Sequence, residues 1–251
     1  MSRDAVYITI LRNPGIQFES LFSYYAAGRH LGITSRDPLK DFISSPEYYY
    51  DANVVLFPLK NPFLFDMGFG ADSWEYDENI SEAIKLIEDT YSLVMICEYF
   101  DESLILLGRL LCWDLDDIVY FALNQRMQSS QASGITQSIH DWNRGDYLLY
   151  QHFNKTFWNK VEQFGKNKMA AEVDILRTRI RDYWSLCIME VTVNGEGVWA
   201  ENGVRIKTYK LKESAKHNSQ CQRMVMPEVT YTKLLQEAQY AKIYNMKNSV
   251  L

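Results

Sequence analysis

The chain has 251 residues with 26 basic and 32 acidic side chains, a formal net charge of −6 and a pI of about 5.3. This balance argues against a nucleic-acid-binding protein, which normally carries a basic stripe and has a domain pI above about 9. No apolar run reaches the ~18 residues of a transmembrane helix, and no signal-like segment precedes the first predicted strand. The composition is that of a globular protein, and the length suits one large domain spanning residues 1–251.

The first predicted element is a buried parallel strand over Val6–Leu11, because the segment is apolar on both faces and rich in β-branched residues. A polar turn ends this strand. Asn13 in the turn is a suitable N-cap, and Pro14 is a suitable first helical residue. Apolar residues at helical spacing then predict a helix to about Arg29, and a proline opens a short helix over Asp37–Ser44.

The middle of the chain is predicted to alternate between helix and strand. Pro46–Trp74 is rich in aromatic residues, proline and glycine, and is expected to form a long ordered loop. An amphipathic helix is predicted over Glu78–Asp89 and a second buried strand over Leu93–Cys97. A helix capped by Asp101 follows and runs to Cys112. This alternation predicts an α/β fold with a parallel sheet flanked by helices.

The C-terminal half is predicted to be mainly helical. Apolar residues at helical spacing mark two consecutive helices between Trp142 and Ile180. Two strand-like segments, Ile188–Val193 and Gly203–Tyr209, precede a last helix from Pro227 to about Tyr244.

The best-defined candidate site follows the first strand. Arg12 lies where a buried strand turns into a helix, and backbone N–H groups and the helix dipole favour an anion at such a junction. Ser20 lies two helical turns further on and can serve a ligand that lies along the helix. A guanidinium together with a hydroxyl suits a phosphate group. The alternative, an arginine that only satisfies turn carbonyls, has equal weight on this chemistry alone.

A second group of polar residues follows the second strand, where a parallel sheet presents its functional edge. Glu98, Asp101 and Glu102 are candidates for binding sugar hydroxyls or orienting a base. The competing interpretation is that Asp101 caps a helix and Glu102 supports its first turn. His152 is a further candidate for substrate binding, although a histidine in an aromatic run is more often a hydrogen-bonded core residue.

Residue spacings offer little for metal chemistry. The four histidines lack an HExxH pattern, and the four cysteines form no CxxC pair, so no metal site is expected. Two glycosylation sequons begin at Asn79 and Asn154, and they matter only in a secretory compartment. The phosphate-loop pattern GxxxxGK[ST] is absent from the sequence.

Four stretches together resemble the galactose-3-O-sulfotransferase family, and they extend through most of the chain. They are LRNPGIQFESLFSYY (Leu11–Tyr25), LVMICEYFDESLILLGRLLCWDLDDIVYFALN (Leu93–Asn124), LYQHFNKTFWNKVEQFG (Leu149–Gly165) and the weaker KHNSQCQRMVMPE (Lys216–Glu228). The second stretch is long enough to be specific.

The resemblance implies a nucleoside-phosphate-binding α/β fold of the P-loop sulfotransferase type. It also implies the sulfate donor 3′-phosphoadenosine 5′-phosphosulfate, and it assigns Arg12 and Ser20 to the 3′-phosphate of that donor. The implied reaction is in-line transfer of a sulfuryl group to the 3-hydroxyl of a β-galactoside on a glycolipid or glycan, as in galactosylceramide sulfotransferases. Such catalysis depends mainly on alignment and charge neutralisation.

The sequence departs from the family pattern at its start. The family's 5′-phosphosulfate loop, its catalytic histidine and its membrane anchor should all precede Val6, so we expect a domain that lacks the first strand–loop–helix unit. The catalytic residues are accordingly expected upstream of Met1, and no residue of this sequence is named as catalytic. A non-catalytic nucleotide- or galactoside-binding relative remains the alternative.

The resemblance also implies a cellular compartment. Family members work on the lumenal side of the Golgi membrane, where disulfides persist. Cys187–Cys221 is the preferred pair, although sequence does not fix connectivity.

Overall fold

A computed structural model describes residues 5–50, 58–70, 77–123, 134–195 and 205–248. The described residues form two compact units. The first is drawn from 1–118 and 130–174, and the second from 119–129 and 175–251. The fold is mixed α/β and mostly helical, and it includes a small parallel sheet that is accompanied by helices.

The strands are β1 (Ile8–Leu11), β2 (Leu93–Ile96), β3 (Ile188–Val193) and β4 (Lys207–Leu211). The helices are α1 (Pro14–Tyr24), α2 (Ala27–His30), α3 (Pro38–Ser44), α4 (Pro46–Tyr49), α5 (Pro62–Asp66), α6 (Asp77–Thr90), α7 (Phe100–Leu111), α8 (Thr136–Trp142), α9 (Arg144–Phe164), α10 (Lys166–Cys187), α11 (Ser219–Val225) and α12 (Glu228–Asn248). Single 3-10 turns cover Cys97–Tyr99, Leu115–Ile118 and Glu213–Ala215.

The sheet of the first unit consists of β1 and β2 in parallel, with Ile8 opposite Leu93 and Leu11 opposite Ile96. All four residues of β2 are buried, as expected for a parallel strand covered by helices. The expectation that β1 is buried on both faces is wrong. Ile8 and Ile10 are each 40% exposed, because β2 is the single strand that pairs with β1 among the described residues.

Three other local expectations also need correction. The first helix ends at Tyr24 rather than near Arg29, because Ala26 adopts a left-handed conformation with φ of 48° and a new short helix begins after it. Asp101 does not cap α7, since Tyr99 occupies the N-cap position and Asp101 lies in the first turn. Part of the expected loop after Pro46 is helical, in α4 and α5.

Some predicted positions lie outside the described residues. They include 51–57 and 71–76 of the expected loop, and 203–204 at the start of a predicted strand. Met1 also lies outside the described residues, together with 2–4. The structure therefore brings no observation to bear on the expectation of catalytic residues upstream of Met1, which stays a prediction.

Aromatic packing forms the core around α1 in the first unit. The rings of Phe18, Phe22 and Phe42 are 5.4–6.1 Å apart, and Trp142 of α8 meets Phe42 edge-on at 5.8 Å. The indole N–H of Trp142 donates to the carbonyl of Leu59 at 2.6 Å. These contacts fix the orientation of α1, the helix that carries the candidate phosphate site at its N-terminal end.

A buried hydrogen-bond network joins the start of α5 to the start of α9. The carboxylate of Asp146 accepts hydrogen bonds from the backbone N–H groups of Phe63 and Leu64 at 2.9 and 3.0 Å. The backbone N–H of Asn61 donates to Oδ1 of Asn143 at 2.8 Å, and Oδ1 of Asn61 accepts from the N–H of Asp146. Asp146 therefore provides, from a distant part of the chain, the capping acceptor that α5 lacks locally.

The second unit is built around the antiparallel pair β3–β4, in which Val191 lies opposite Tyr209. A disulfide joins Cys187, the last residue of α10, to Cys221 of α11, with the two Cα atoms 5.5 Å apart. This is the pair preferred from the sequence. Both cysteines are fully buried in a small cluster with Phe121 and Ile188.

Candidate functional site

The carboxyl ends of β1 and β2 meet at one edge of the sheet, and the candidate residues are arranged around that edge. Because the strands are parallel and Leu11 lies opposite Ile96, Arg12 and Cys97 leave the sheet side by side. Parallel α/β sheets bind ligands at this edge. The two strands thus bring the first and second predicted groups of site residues together.

Glu98 fastens the two strand ends to each other and to α9. Its Oε1 accepts from the backbone N–H of Asn13 at 2.8 Å, and its Oε2 lies 3.3 Å from the hydroxyl of Tyr150, which donates to it. Burial and the neighbouring Glu98 carboxylate raise the pKa of Tyr150, so the phenol keeps its proton and remains a donor. Both oxygens of Glu98 therefore have protein partners, which favours a positioning role over direct binding of sugar hydroxyls.

The N-terminal end of α1 is partly capped by the protein itself. Asn13 is the N-cap as predicted, and its Oδ1 accepts from the N–H of Gly15 at 3.0 Å. Pro14 at the first helical position has no N–H to offer. An anion bound here would consequently interact with the helix dipole and with the guanidinium of Arg12 more than with free backbone donors.

Arg12 is the cation of this edge. It is half-buried, and among the described residues no carboxylate forms an ion pair with its guanidinium. Burial raises the pKa of the adjacent Cys97 thiol, and the positive charge of Arg12 opposes that rise. A half-buried guanidinium is costly to desolvate, and a bound anion would compensate for that cost.

Ser20 lies on the same side of α1 as Asn13, because seven residues complete almost two helical turns. It is half-buried and about 10 Å further along the helix axis. One phosphate group at the end of the helix does not span that distance. A nucleotide lying along α1 is the kind of ligand that would bring Arg12 and Ser20 into one site.

Asp101 and Glu102 are both half-buried in the first turn of α7. The next residue, Ser103, was not singled out from the sequence, yet it is fully buried and joins α7 to β2. Its hydroxyl accepts from the N–H of Ile96 at 3.0 Å and donates to the carbonyl of Ile96 at 3.1 Å. A serine in an apolar helical run is the one sequence signal that could have indicated this bond.

The structure does not bring His152 to the sheet edge. Its Nε2 is 3.3 Å from Oε1 of Glu88 on α6, an ion-pair distance without hydrogen-bond geometry.

His140 lies closer to the site, since a Cβ added to Gly15 would be 3.3 Å from His140 Nε2. Burial lowers the pKa of His140, so its imidazole, which stacks on Tyr147 at 4.3 Å, is favoured in the neutral form. Nothing in the sequence distinguished His140 from the other histidines.

The two sequons differ in accessibility. Asn79 is exposed in the first turn of α6. Asn154 is half-buried in the middle of α9, and its Oδ1 is shielded from solvent. Asn79 is therefore the better placed of the two to accept a glycan.

The described residues contain no group of three histidine, cysteine or acidic side chains placed to hold a metal ion. Of the helices that the structure describes, none has the length and apolarity needed to cross a membrane.

Comparison with known proteins identifies relatives over nearly the whole chain. The family model described as Galactose-3-O-sulfotransferase matches residues 1–239. Galactosylceramide sulfotransferase of Mus musculus is 38% identical over 244 residues, which cover 90% of this chain and 58% of the relative. Galactose-3-O-sulfotransferase 2 of Mus musculus is 34% identical over 92% of the chain and 62% of its own length. Galactose-3-O-sulfotransferase 3 of Bos taurus is 42% identical over 188 residues, 70% of the chain and 43% of the relative.

The chain thus spans less than two thirds of the length of these curated relatives. No solved structure matches it.

Proposed function

The chain belongs to the galactose-3-O-sulfotransferase family, and from that membership we propose that the protein transfers a sulfuryl group from 3′-phosphoadenosine 5′-phosphosulfate to the 3-hydroxyl of a terminal β-galactose. The acceptor would be a galactose-terminated glycolipid or glycan, in keeping with the names of the relatives. In the transfer, the bond from sulfur to the 5′-phosphate breaks and a bond from sulfur to the galactose oxygen forms, while a base takes the hydroxyl proton.

The environment of Arg12 is the observation that supports the proposal. A half-buried guanidinium without a carboxylate partner in the described structure stands at the functional edge of a parallel sheet, beside a helix N-terminus. We assign Arg12 and Ser20 to the 3′-phosphate of the donor. Glu98 and Tyr150 would position the turn that carries Arg12, through the hydrogen bonds to Glu98. We assign the catalytic base to no residue of this chain.

The donor and the fold are part of the same proposal. The parallel pair β1–β2 with helices is compatible with a sulfotransferase fold of the P-loop type, and the family match extends over both compact units, which supports a single catalytic domain. The Cys187–Cys221 disulfide supports an oxidising compartment, for which we propose the Golgi lumen. Membrane attachment would come from a segment other than the described helices.

Calorimetry with 3′-phosphoadenosine 5′-phosphate, the product of the donor, tests the site. Arg12→Ala should weaken binding by about tenfold to a hundredfold, since a charge-assisted bond to phosphate contributes about 1.5–3 kcal/mol. Arg36→Ala is the matched control, because Arg36 is an exposed arginine between α2 and α3. Equal affinity of the Arg12→Ala variant and the parent protein would refute the assignment.

Sulfuryl transfer is measured separately, with lactose and galactosylceramide as acceptors and labelled donor. Transfer that depends on Arg12 supports the enzymatic proposal. Nucleotide binding without transfer to either acceptor would instead identify a non-catalytic binding protein.

A further inference from the structure

A cavity of about 210 Å³ lies at the far end of α7 from the candidate donor site. Its wall is formed by Ile105 and Arg109 of α7, by Trp113, Asp114 and Ile118 of the following segment, and by Glu172 of α10. Since α7 has 12 residues, its last turn lies about 12 Å from its first, where Asp101 and Glu102 follow the sheet edge. The cavity is therefore separate from the site already described.

The turn after α7 holds Trp113 in the wall of this cavity. Cys112 ends the helix in the left-handed conformation, with φ of 55°, and the N–H of Trp113 donates to the carbonyl of Gly108 at 2.8 Å. The N–H of Asp114, the residue after Trp113, donates to Oδ2 of Asp117 at 2.9 Å. This bond fixes the backbone on the other side of Trp113. The backbone is thus well anchored, while Trp113 itself remains 49% exposed. A large aromatic side chain left open on a rigid turn is a feature of ligand-binding surfaces.

Charged groups share the cavity wall with the indole. Arg109 forms an ion pair with Glu172, whose side chain is only 14% exposed, and its guanidinium lies 5.9 Å from the centre of the Phe164 ring. The carboxylate and the ring hold the guanidinium in place, and a guanidinium has five N–H donors. Asp114 adds a second carboxylate to the wall, so the lining carries one positive and two negative charges.

These features select among classes of ligand. The net negative charge of the lining disfavours phosphate and sulfate groups. An alkyl chain would cover charged groups without offering them hydrogen bonds, which is costly. A sugar ring offers both an apolar C–H face for the indole and hydroxyl groups for the carboxylates and the guanidinium. The cavity has the size of one such ring.

We propose that this cavity binds one neutral hexopyranose, a β-galactoside, as an accessory site that retains glycan acceptors near the enzyme. The choice of galactose among hexoses rests on the proposed function, whereas the sugar site itself rests on Trp113, Arg109 and Glu172. A second contact with a glycan raises the effective concentration of its reacting end, provided that the glycan spans both sites.

The test is direct binding of methyl β-galactopyranoside to the purified chain, by saturation-transfer NMR and titration in the millimolar range. Trp113→Ala should weaken binding by about tenfold, because the sugar loses its apolar contact surface. Trp113→Phe should retain part of the affinity, and it also guards against a folding defect in the alanine variant. Glu172→Gln should weaken binding while preserving the shape of the cavity. Leu110→Ala is the control, because Leu110 is an exposed residue of α7 that does not line the cavity.

Parallel titrations with 3′-phosphoadenosine 5′-phosphate separate this proposal from the donor site. Trp113→Ala should leave nucleotide affinity unchanged, and Arg12→Ala should leave galactoside affinity unchanged. The accessory site is refuted if the parent protein does not bind the galactoside, or if Trp113→Ala binds it as well as the parent does. Equal or tighter binding of galactose 6-phosphate would contradict the neutral-ligand argument.

Discussion

The backbone N–H of Asn13 donates to Oε1 of Glu98 at 2.8 Å, although 85 positions separate the two residues in the chain. This bond joins the turn after β1 to the turn after β2, and Tyr150 completes the arrangement through the other carboxylate oxygen. Arg12 is the residue immediately before Asn13. The turn that carries Arg12 is therefore held by a carboxylate that sequence analysis had placed among the substrate-binding candidates.

Glu98→Ala should lower the free energy of unfolding by about 1–2 kcal/mol, because hydrogen bonds to charged groups contribute about that much and these are partly exposed. Urea unfolding of the variant against the parent measures the change. Tyr150→Phe removes only the longer of the two bonds, so its effect should be below about 1 kcal/mol. A variant Glu98→Ala with unchanged stability would show that the Asn13–Glu98 bond does not hold the strand ends together. Glu98→Gln keeps an acceptor oxygen and should behave more like the parent.

Asp146 should make stability depend on pH. Its pKa is raised to about 7 from 3.8, mainly by burial, against the opposing effect of the N–H groups of Phe63 and Leu64. Between these two values the folded state holds a proton that the unfolded state has released, so the free energy of unfolding falls as pH rises. The loss should be about 4 kcal/mol between pH 4 and pH 8.

Asp146→Asn separates this effect from other titrating groups. Its amide NH₂ would face one of the two backbone donors, so the variant should be less stable than the parent at pH 5. The stability difference between the variant and the parent should narrow by pH 8, because the folded parent then carries an ionised, buried carboxylate. A difference in urea midpoint that stays constant from pH 5 to pH 8 would contradict the raised pKa.

Loss of the Cys187–Cys221 disulfide should destabilise the second unit. The two cysteines are 34 positions apart, and closing a loop of that length in the unfolded chain gives about 3–4 kcal/mol in the chain-entropy model. The paired variant Cys187→Ser and Cys221→Ser should melt at a lower temperature than the parent, with or without reductant. Cys97→Ser and Cys112→Ser are controls, because both cysteines are free. If reductant lowers the melting temperature of the paired variant as well, the destabilisation by reductant does not come from the Cys187–Cys221 disulfide.

Gly15 should not tolerate alanine. A Cβ at this position would lie 2.9 Å from Cγ2 of Thr136 and 3.3 Å from Nε2 of His140, so the Thr136 side chain or α8 would have to shift. We expect Gly15→Ala to cost about 1–3 kcal/mol. It should also weaken nucleotide binding, because the same Cβ would lie 3.2 Å from Oδ1 of Asn13, the N-cap next to Arg12. At Gly108, the nearest atom to such a Cβ is 3.6 Å away. Gly108→Ala should therefore be neutral or slightly stabilising, as helix propensity favours alanine. Equal stabilities of the two variants would contradict the close approach of α8.

The helices and strands were largely predictable from the sequence, because hydrophobic periodicity and capping residues act within a few positions. Asn13 and Pro14 predicted the start of α1, and the structure confirms both positions. The N-cap of α7 was predicted two residues late because Asp101 is a good capping residue and Tyr99 is not. The break at Ala26 was missed, since alanine ordinarily continues a helix and its left-handed conformation has no signature in the local sequence.

The sequence alone determined the family, the order of the main helices and strands, and the position of Arg12 between a strand and a helix. Each of these follows from patterns within short segments. The tertiary structure alone decided that Glu98 fastens the turn beside Arg12, that Asp146 caps a helix formed by residues far earlier in the chain, and that Trp113, Arg109 and Glu172 surround one cavity. Such contacts join residues many positions apart, and their energies depend on burial and on distances that no local pattern encodes.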